Sequence, residues 1–247
     1  HGINDRTDPT RLHSSYADLA DRMIQVRFPG RTDLKSYFIG GGAYTMPRAW
    51  TVRYPAGRHV VAEIDPMVTE MAEKMLWLKP APSLGIRHAD ARVALRGIDD
   101  ASLDVVVGDA FHDISVPQHL VTQEFADEIR NKLKADGVYV MNVIDAAREP
   151  RFLLAMLRTL FEVFPVVEIW VDADQMGSGG RLTYLLSASA VAMPMSTMVS
   201  KQTEGRRWQR VDPDRIAGTL SPDDVPVLTD DLAPVDRLMG AVAAQAR

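Results

Sequence analysis

The sequence predicts an α/β protein with a doubly wound, mostly parallel, seven-stranded sheet that closes with a C-terminal antiparallel hairpin. Five short apolar runs recur along the chain with helical segments between them, as in a buried parallel sheet. Three consecutive glycines, Gly40 to Gly42, directly follow the first of these runs. Two later apolar runs are joined by a loop too short to contain a crossover helix, which predicts antiparallel pairing.

Composition narrows the class of protein before any motif is considered. The 247 residues suffice for one large α/β domain, and 46% hydrophobic with 25% charged residues is typical of a globular protein. A net charge of -5 argues against binding to nucleic acid. The sequence contains no cysteine, which excludes disulfides and thiolate chemistry. With no long apolar stretch and no signal-peptide pattern, we expect no membrane association and a cytoplasmic location.

Along the chain, the polar residues 1–30 are expected to form an irregular N-terminal arm or a reduced N-terminal domain. Residues 31–192 are expected to form the Rossmann-like catalytic domain, and residues 193–247 an extension packed on it. The five parallel strands are predicted at Ser36–Ile39, His59–Ile64, Leu84–His88, Leu103–Val107 and Val138–Val143. The closing hairpin is predicted at Val166–Asp172 and Leu182–Ala188. By fold analogy, this arrangement is typical of S-adenosylmethionine-type transferases rather than nicotinamide dehydrogenases.

Helix signals lie between these strands. Asp65 followed by Pro66 predicts an N-cap and a first helical position, and Thr122 predicts a second N-cap. The segment Arg151–Phe164 is amphipathic, and a last helix is expected from about Pro234. The helix after Asp65 carries apolar side chains at helical spacing, which we expect to face the core. These side chains are Met67, Met71, Met75 and Leu78.

The glycine run is the first indication of function. Glycine has no Cβ, so Gly40, Gly41 and Gly42 permit a tight turn whose backbone N–H groups approach a ligand. Glu63 ends the next predicted strand about 20 residues later, where a carboxylate accepts hydrogen bonds from a ribose diol. A glycine cluster alone is often only a turn. Together with Glu63, it predicts an adenosine-containing ligand.

Further acidic residues follow the later strands. Asp90 is equally suited to cap the following helix or to bind an adenine amino group. Asp109 directly follows the fourth strand at the ligand-binding edge of the sheet, which favours a functional role, and Asp113 lies one turn later.

These segments resemble, in order and spacing, the spermidine synthase-like polyamine aminopropyltransferases. The resemblance spans roughly residues 36–145 and is carried by Gly40-Gly41-Gly42, Glu63-Ile64-Asp65, the Asp90 segment, Asp109-Ala110-Phe111 and Pro117-Gln118-His119-Leu120. It implies an S-adenosylmethionine-dependent methyltransferase-like fold, decarboxylated S-adenosylmethionine as donor, a polyamine acceptor, methylthioadenosine as product and no metal. A homodimer is compatible with it.

The resemblance also implies roles for single residues. The three glycines cradle the donor, Glu63 holds the ribose, and Asp109 deprotonates the attacking amine. Asp90, with its neighbour Ala91, meets the adenine. The candidates to complete the amine site, within a cleft expected to be acidic, are Tyr16, Asp113, Gln118 and Asp231.

Two departures keep other functions open. Ala43 stands where typical members have an aspartate, and Asp113 lies four rather than three residues after Asp109. Ala43 suits a methyltransferase that uses intact S-adenosylmethionine, because a second carboxylate would repel that of the donor. A third hypothesis is a non-catalytic domain that binds methylthioadenosine or polyamine.

Overall fold

The computed structural model describes residues 2–110, 116–200, 202–203, 205–218 and 220–240. The strands are β1 Lys35–Ile39, β2 Arg58–Ala62, β3 Leu84–Arg87, β4 Leu103–Gly108, β5 Leu133–Ala146, β6 Val166–Asp172, β7 Arg181–Ser189, β8 Thr197–Val199 and β9 Arg207–Val211. The helices are α1 Ser15–Arg27, α2 Thr45–Arg53, α3 Pro66–Met75, α4 Ala91–Arg96, α5 Gln123–Lys132, α6 Arg151–Phe161, α7 Asp214–Ala217 and α8 Val235–Leu238. None of the helices within these ranges has the length and apolar character needed to cross a membrane.

The strands form a single sheet in the order β3-β2-β1-β4-β5-β7-β6-β9-β8. Strands β1 to β5 pair in parallel, and β7 pairs antiparallel with both β5 and β6. The mostly parallel sheet and its antiparallel hairpin are therefore confirmed. The parallel order reverses between β1 and β4, and ligands of open α/β sheets bind at that point, beyond the carboxyl ends of the strands.

Within the described residues, the sheet has nine strands where seven were expected. The two extra strands, β8 and β9, come from the polar tail, and β9 pairs antiparallel with β6. Both are short, three and five residues, and expose alternate side chains. Such strands depend on pairing with the existing edge of the sheet, which no local pattern in the tail reveals.

The predicted helix caps form. The Asp65 side chain accepts a hydrogen bond from the Met67 backbone N–H at 2.8 Å, and Thr122 accepts one from Phe125 at 3.3 Å. Asp90 caps α4 by accepting from the Val93 N–H at 3.0 Å. The capping signals thus fix where the helices after β2 and β3 begin.

The apolar stripe of α3 was expected in the core. This prediction is wrong for the three methionines, whereas Leu78, which follows the helix, is buried as expected. Met67, Met71 and Met75 are 58%, 51% and 62% exposed. The helix instead buries Thr69 and Ala72 against the molecule. The helical spacing correctly placed the methionines on one face, but spacing does not determine which face of a helix meets the sheet.

Helix α1 is an element that the sequence did not predict. It buries apolar side chains such as Leu19 and Met23 in the core on one side of the sheet. The buried Asp21 carboxylate accepts a hydrogen bond from the Trp50 indole N–H at 2.9 Å, which joins α1 to α2. This packing brings Tyr16 toward the carboxyl ends of the central strands.

Candidate functional site

The glycine loop follows β1 and turns directly into α2. Gly40 has φ +91° and Gly42 has φ +50°, a region that favours glycine. A Cβ on Gly40 would lie 3.1 Å from the Asp109 carbonyl oxygen, so the loop passes close to the end of β4. A Cβ on Gly41 would lie 2.6 Å from the ring of the fully buried Tyr44. Gly41 is therefore required by protein packing.

Glu63 holds this loop in place from the end of β2. One carboxylate oxygen accepts hydrogen bonds from the N–H groups of Gly41 and Gly42 at 2.9 and 3.2 Å. The other oxygen accepts from the Asp65 N–H at 3.0 Å. A carboxylate has about two acceptor directions per oxygen, so the glycine loop uses both on the first oxygen and the second oxygen keeps one for a ribose hydroxyl. Glu63 lines the cavity described next.

The first cavity, of about 250 Å³, lies beyond β1, β2 and β4. Its walls are mainly apolar, with Ala62, Ile64, Val68, Ala89 and Leu120 among the lining residues. The polar groups at its rim include Glu63, Asp90 and His119. An apolar cleft with a few fixed polar groups is the usual setting for a flat heterocycle joined to a polar sugar.

Asp90 has partners for both carboxylate oxygens. One caps α4, and the other lies 2.6 Å from Nε2 of His119. Burial opposes its ionisation, but the hydrogen bonds from His119 and the Val93 N–H outweigh this and lower the pKa of Asp90. Capping is thus observed, and any adenine contact would be an additional role. Ala91, the first residue of α4, lines the same cavity.

Asp109 is partly buried and immediately follows β4. Its carboxylate accepts hydrogen bonds from the Tyr16 hydroxyl at 2.8 Å and from the Asn142 side-chain amide at 2.9 Å. Burial raises the pKa of Asp109, and these two hydrogen bonds oppose the rise only in part. A carboxylate with a raised pKa is a stronger base than an exposed one, which suits proton removal.

A second cavity, of about 370 Å³, shares Gly40, Gly42 and Asp109 with the first. Asp109 therefore stands where the two cavities meet. Residues from α1, β5 and β7 complete the second cavity, including Tyr16, Asn142, Arg181 and Thr183.

Among its described lining residues, the second cavity is less acidic than the sequence led us to expect. Asp109 is the single carboxylate among these residues, and Arg181 adds a positive charge. Glu63 and Asp90 line the first cavity.

The remaining candidates lie apart from the two cavities or cannot be placed. Gln118 and Asp231 are exposed and line neither cavity. Asp113 lies outside the described residues. The neighbouring Asp230 pairs with Arg92 at 2.7 Å and accepts a hydrogen bond from Thr122 at 2.7 Å, so it anchors the tail.

Sequence reasoning missed three residues that line the cavities: His119, Asn142 and Arg181. Only Asn142 carried a usable signal, as a polar side chain within an otherwise apolar strand. No group of three or more metal-ligating side chains occurs in the part of the chain that the structure describes.

Comparison with known proteins agrees with this geometry. The family model described as "Spermine/spermidine synthase domain" matches residues 35–173, more than half of the chain. A polyamine aminopropyltransferase from Vibrio vulnificus is 31% identical over 164 residues, which cover 66% of this chain and 55% of that protein. The chain spans about half the length of the curated relatives that it matches first.

Solved structures share the fold. A probable spermidine synthase from Corynebacterium glutamicum superposes with a TM-score of 0.75 at 24% identity, covering 92% of this chain and 84% of that one. Human methyltransferase-like protein 13, solved in complex with SAH, superposes with a TM-score of 0.57 at 19% identity, covering 72% and 81%. The sheet order, the glycine loop with Glu63 and the family match over residues 35–173 together lead to one assignment: the chain belongs to the spermine/spermidine synthase domain family.

Proposed function

We propose that this protein transfers an aminopropyl group from decarboxylated S-adenosylmethionine to an amine and releases methylthioadenosine. The observation that carries the proposal is the position of Asp109, a partly buried carboxylate where the two cavities meet. The name of the Vibrio vulnificus relative supports this activity and makes a polyamine the first acceptor to test.

The first cavity suits the adenosine part of the donor. Its apolar walls accommodate the adenine ring, with Asp90 and Ala91 at the edge, and Glu63 accepts from the ribose hydroxyls. Gly40 leaves room beside Asp109 that a side chain would fill. These contacts would direct the sulfonium centre toward the second cavity.

The second cavity suits the acceptor, and Asp109 supplies the base. The amine nitrogen forms a bond to the propyl carbon as the carbon–sulfur bond breaks, and that bond's electron pair stays on sulfur as a neutral thioether. The nitrogen loses one proton to the Asp109 carboxylate. Because the leaving group is already good, alignment and proton removal are the main contributions required of the protein.

A methyltransferase that uses intact S-adenosylmethionine is the second candidate. Ala43 favours it, because this position adds no negative charge to the second cavity that it lines. The human protein solved with SAH has the same fold. A binding domain without catalysis, the third hypothesis, would have no use for a base at Asp109.

One assay separates the three functions. The protein is incubated with decarboxylated or intact S-adenosylmethionine and a panel of amines, and products are identified by mass spectrometry. We expect methylthioadenosine and an aminopropylated amine with the decarboxylated donor. S-adenosylhomocysteine as the sole nucleoside product would establish methyl transfer instead. Binding of methylthioadenosine without turnover under any condition would leave a binding domain.

A further inference from the structure

The second cavity is lined by an exposed cation, Arg181, that forms no ion pair with any carboxylate of the described residues. Arg181 begins β7 and pairs with Ala146 at the end of β5. In the described ranges of the chain, no carboxylate lies within 4 Å of its guanidinium, whereas Arg92 in the same molecule is paired with both Glu128 and Asp230. A guanidinium lining a cavity is well shaped for a carboxylate, which it binds through two parallel hydrogen bonds.

The same cavity contains a buried acceptor without a donor. Because a carboxylate only accepts, the Asn142 atom that contacts Asp109 is the nitrogen, and the side-chain oxygen is the other atom. That oxygen is buried and has no hydrogen-bond partner in the described structure. Asn142 is itself 6% exposed. A buried carbonyl oxygen of this kind calls for an N–H donor.

These two groups lie at different levels of the sheet. In the β5–β7 ladder, Asn142 pairs with Leu185, and Arg181 pairs with a residue four positions further along β5. At about 3.3 Å per residue, the backbone positions of the two residues are roughly 13 Å apart along the strands. Ile144 and its partner Thr183 lie between them and line the same cavity. A ligand that meets both groups is therefore extended, with an amine at one end and an anion at the other.

We infer that the second cavity binds an acceptor amine that carries a carboxylate, with its nitrogen beside Asp109 and Asn142 and its carboxylate on Arg181. This inference rests on the proposed function for the identity of the nitrogen as the reacting atom. The amino-acid end of intact S-adenosylmethionine also has both groups, but there they are separated by a single carbon. The spacing of the protein groups therefore favours the acceptor.

The test compares matched ligands by calorimetry in the presence of saturating methylthioadenosine. The pairs are 5-aminopentanoate with 1,5-diaminopentane, and 8-aminooctanoate with 1,8-diaminooctane. We expect one amino acid to bind at least tenfold more tightly than its diamine. In Arg181→Met, the affinity for this amino acid should fall at least tenfold, while the affinity for the diamine should change less than threefold. Arg181→Lys should lose less affinity for the amino acid than Arg181→Met does.

The control is Arg58→Met, since Arg58 also begins a strand and is exposed, but lines neither cavity. It should leave all four affinities unchanged. Equal affinity for amino acids and diamines in the wild-type protein, or no effect of Arg181→Met on either, would overturn the inference. Binding of intact S-adenosylmethionine is measured separately, without methylthioadenosine. If Arg181→Met weakens this binding and that of neither amino acid, the inference is also overturned, because Arg181 would then contact the carboxylate of the donor.

These affinities can be measured without turnover, so the inference and the proposed function fail separately. Arg181-dependent binding without formation of methylthioadenosine from any donor and amine would refute the aminopropyl transfer and leave the carboxylate site. Methylthioadenosine formation, together with amine binding that does not depend on Arg181, would refute the carboxylate site and support the aminopropyl transfer.

Discussion

The two cavities that meet at Asp109 differ in how the chain builds them. The first is formed largely by consecutive strand ends, and Glu63 ties its wall to the glycine loop over 22 residues of sequence. The second brings together α1, the end of β5 and the start of β7, with Tyr16 93 residues from the carboxylate it contacts. The first cavity is thus formed by segments that are close in sequence. The second cavity forms only when segments far apart in sequence have packed together.

The two cavities also differ in their relation to the family match. The match extends from residue 35 to 173, and all residues that line the first cavity lie within it. The second takes Tyr16 from before that segment and Arg181 from after it. Donor recognition is thus expected to depend on residues within the matched segment, whereas acceptor selection is expected to depend also on Tyr16 and Arg181, which lie outside it.

The largest effect is expected where both cavities meet. Asp109→Asn removes the base but keeps a side chain of the same size, so turnover should fall by about 100-fold or more. Methylthioadenosine affinity should stay within threefold, as measured by calorimetry. A fall in both, with unchanged thermal stability, would mean that Asp109 binds the nucleoside and that the two cavities cannot be tested apart.

A change confined to the first cavity should alter donor affinity alone. Glu63→Gln places an amide N–H₂ where the N–H groups of Gly41 and Gly42 need an acceptor, so methylthioadenosine should bind about tenfold more weakly. Acceptor affinity should not change. Glu70→Gln, on the exposed face of α3, is the control and should bind the nucleoside normally. An effect of Glu63→Gln on acceptor binding would show that the glycine loop shapes both cavities.

Substitution of Tyr16, which lines the second cavity, should alter the pH dependence of kcat/KM. The Tyr16 hydrogen bond lowers the pKa of Asp109 against the effect of burial, so Tyr16→Phe should raise that pKa further. The base is active when ionised, and the acid limb of kcat/KM should therefore move to higher pH. Below that limb, the rate should fall about fivefold.

The control for Tyr16 is Tyr54→Phe, which removes a buried hydroxyl that has no partner in the described structure. Tyr54 lines neither cavity, so its variant should keep the wild-type profile. A limb that stays in place in Tyr16→Phe would mean that another group is the base.

The smallest effect on activity is expected at Asp145, a buried carboxylate near the end of β5. It accepts hydrogen bonds from the backbone N–H groups of Ala146 and Leu153, at 2.7 and 2.8 Å, and lines neither cavity. Burial raises its pKa to about 7. We expect Asp145→Asn to keep the wild-type pH profile of turnover, which would confirm that this carboxylate adds no charge to the second cavity.

The effect of Asp145 on stability has a definite sign. Its folded pKa lies above the unfolded value, so its stabilising contribution is complete below about pH 4 and is lost as the pH rises to about 7. In that window the free energy of unfolding should fall by up to about 1.4 kcal/mol per pH unit. Urea titrations at several pH values give the free energy of unfolding as a function of pH. Its dependence on pH should be weaker in Asp145→Asn than in the wild-type protein, and unchanged in the exposed control Asp99→Asn. An equal pH dependence in all three proteins would contradict this account.

Local signals predicted the parallel strands, the caps at Asp65 and Thr122, and the positions of Glu63 and Asp109. Each of these depends on a few neighbouring residues, and the sheet places strand ends side by side wherever the strands are parallel. The face of α3 that meets the sheet was not predictable, because it depends on the small side chains Thr69 and Ala72 fitting against other elements.

The second cavity was the least predictable part. Tyr16 was a candidate, but nothing near it in sequence indicates a contact with Asp109. Arg181 follows a glycine-rich loop and reads as an ordinary surface cation. Only the structure shows that Arg181 lines the second cavity, because strand pairing places it opposite Ala146 of β5.

The outward-facing methionines of α3 give this protein a chemical reporter of its own surface. Thioethers are oxidised to sulfoxides more readily when peroxide can reach them, and each conversion adds one oxygen atom. Met67, Met71 and Met75 are more than half exposed, whereas Met23, Met141 and Met156 are buried. Peptide masses after a brief peroxide pulse would therefore record, residue by residue, whether this face is open or covered in a given preparation.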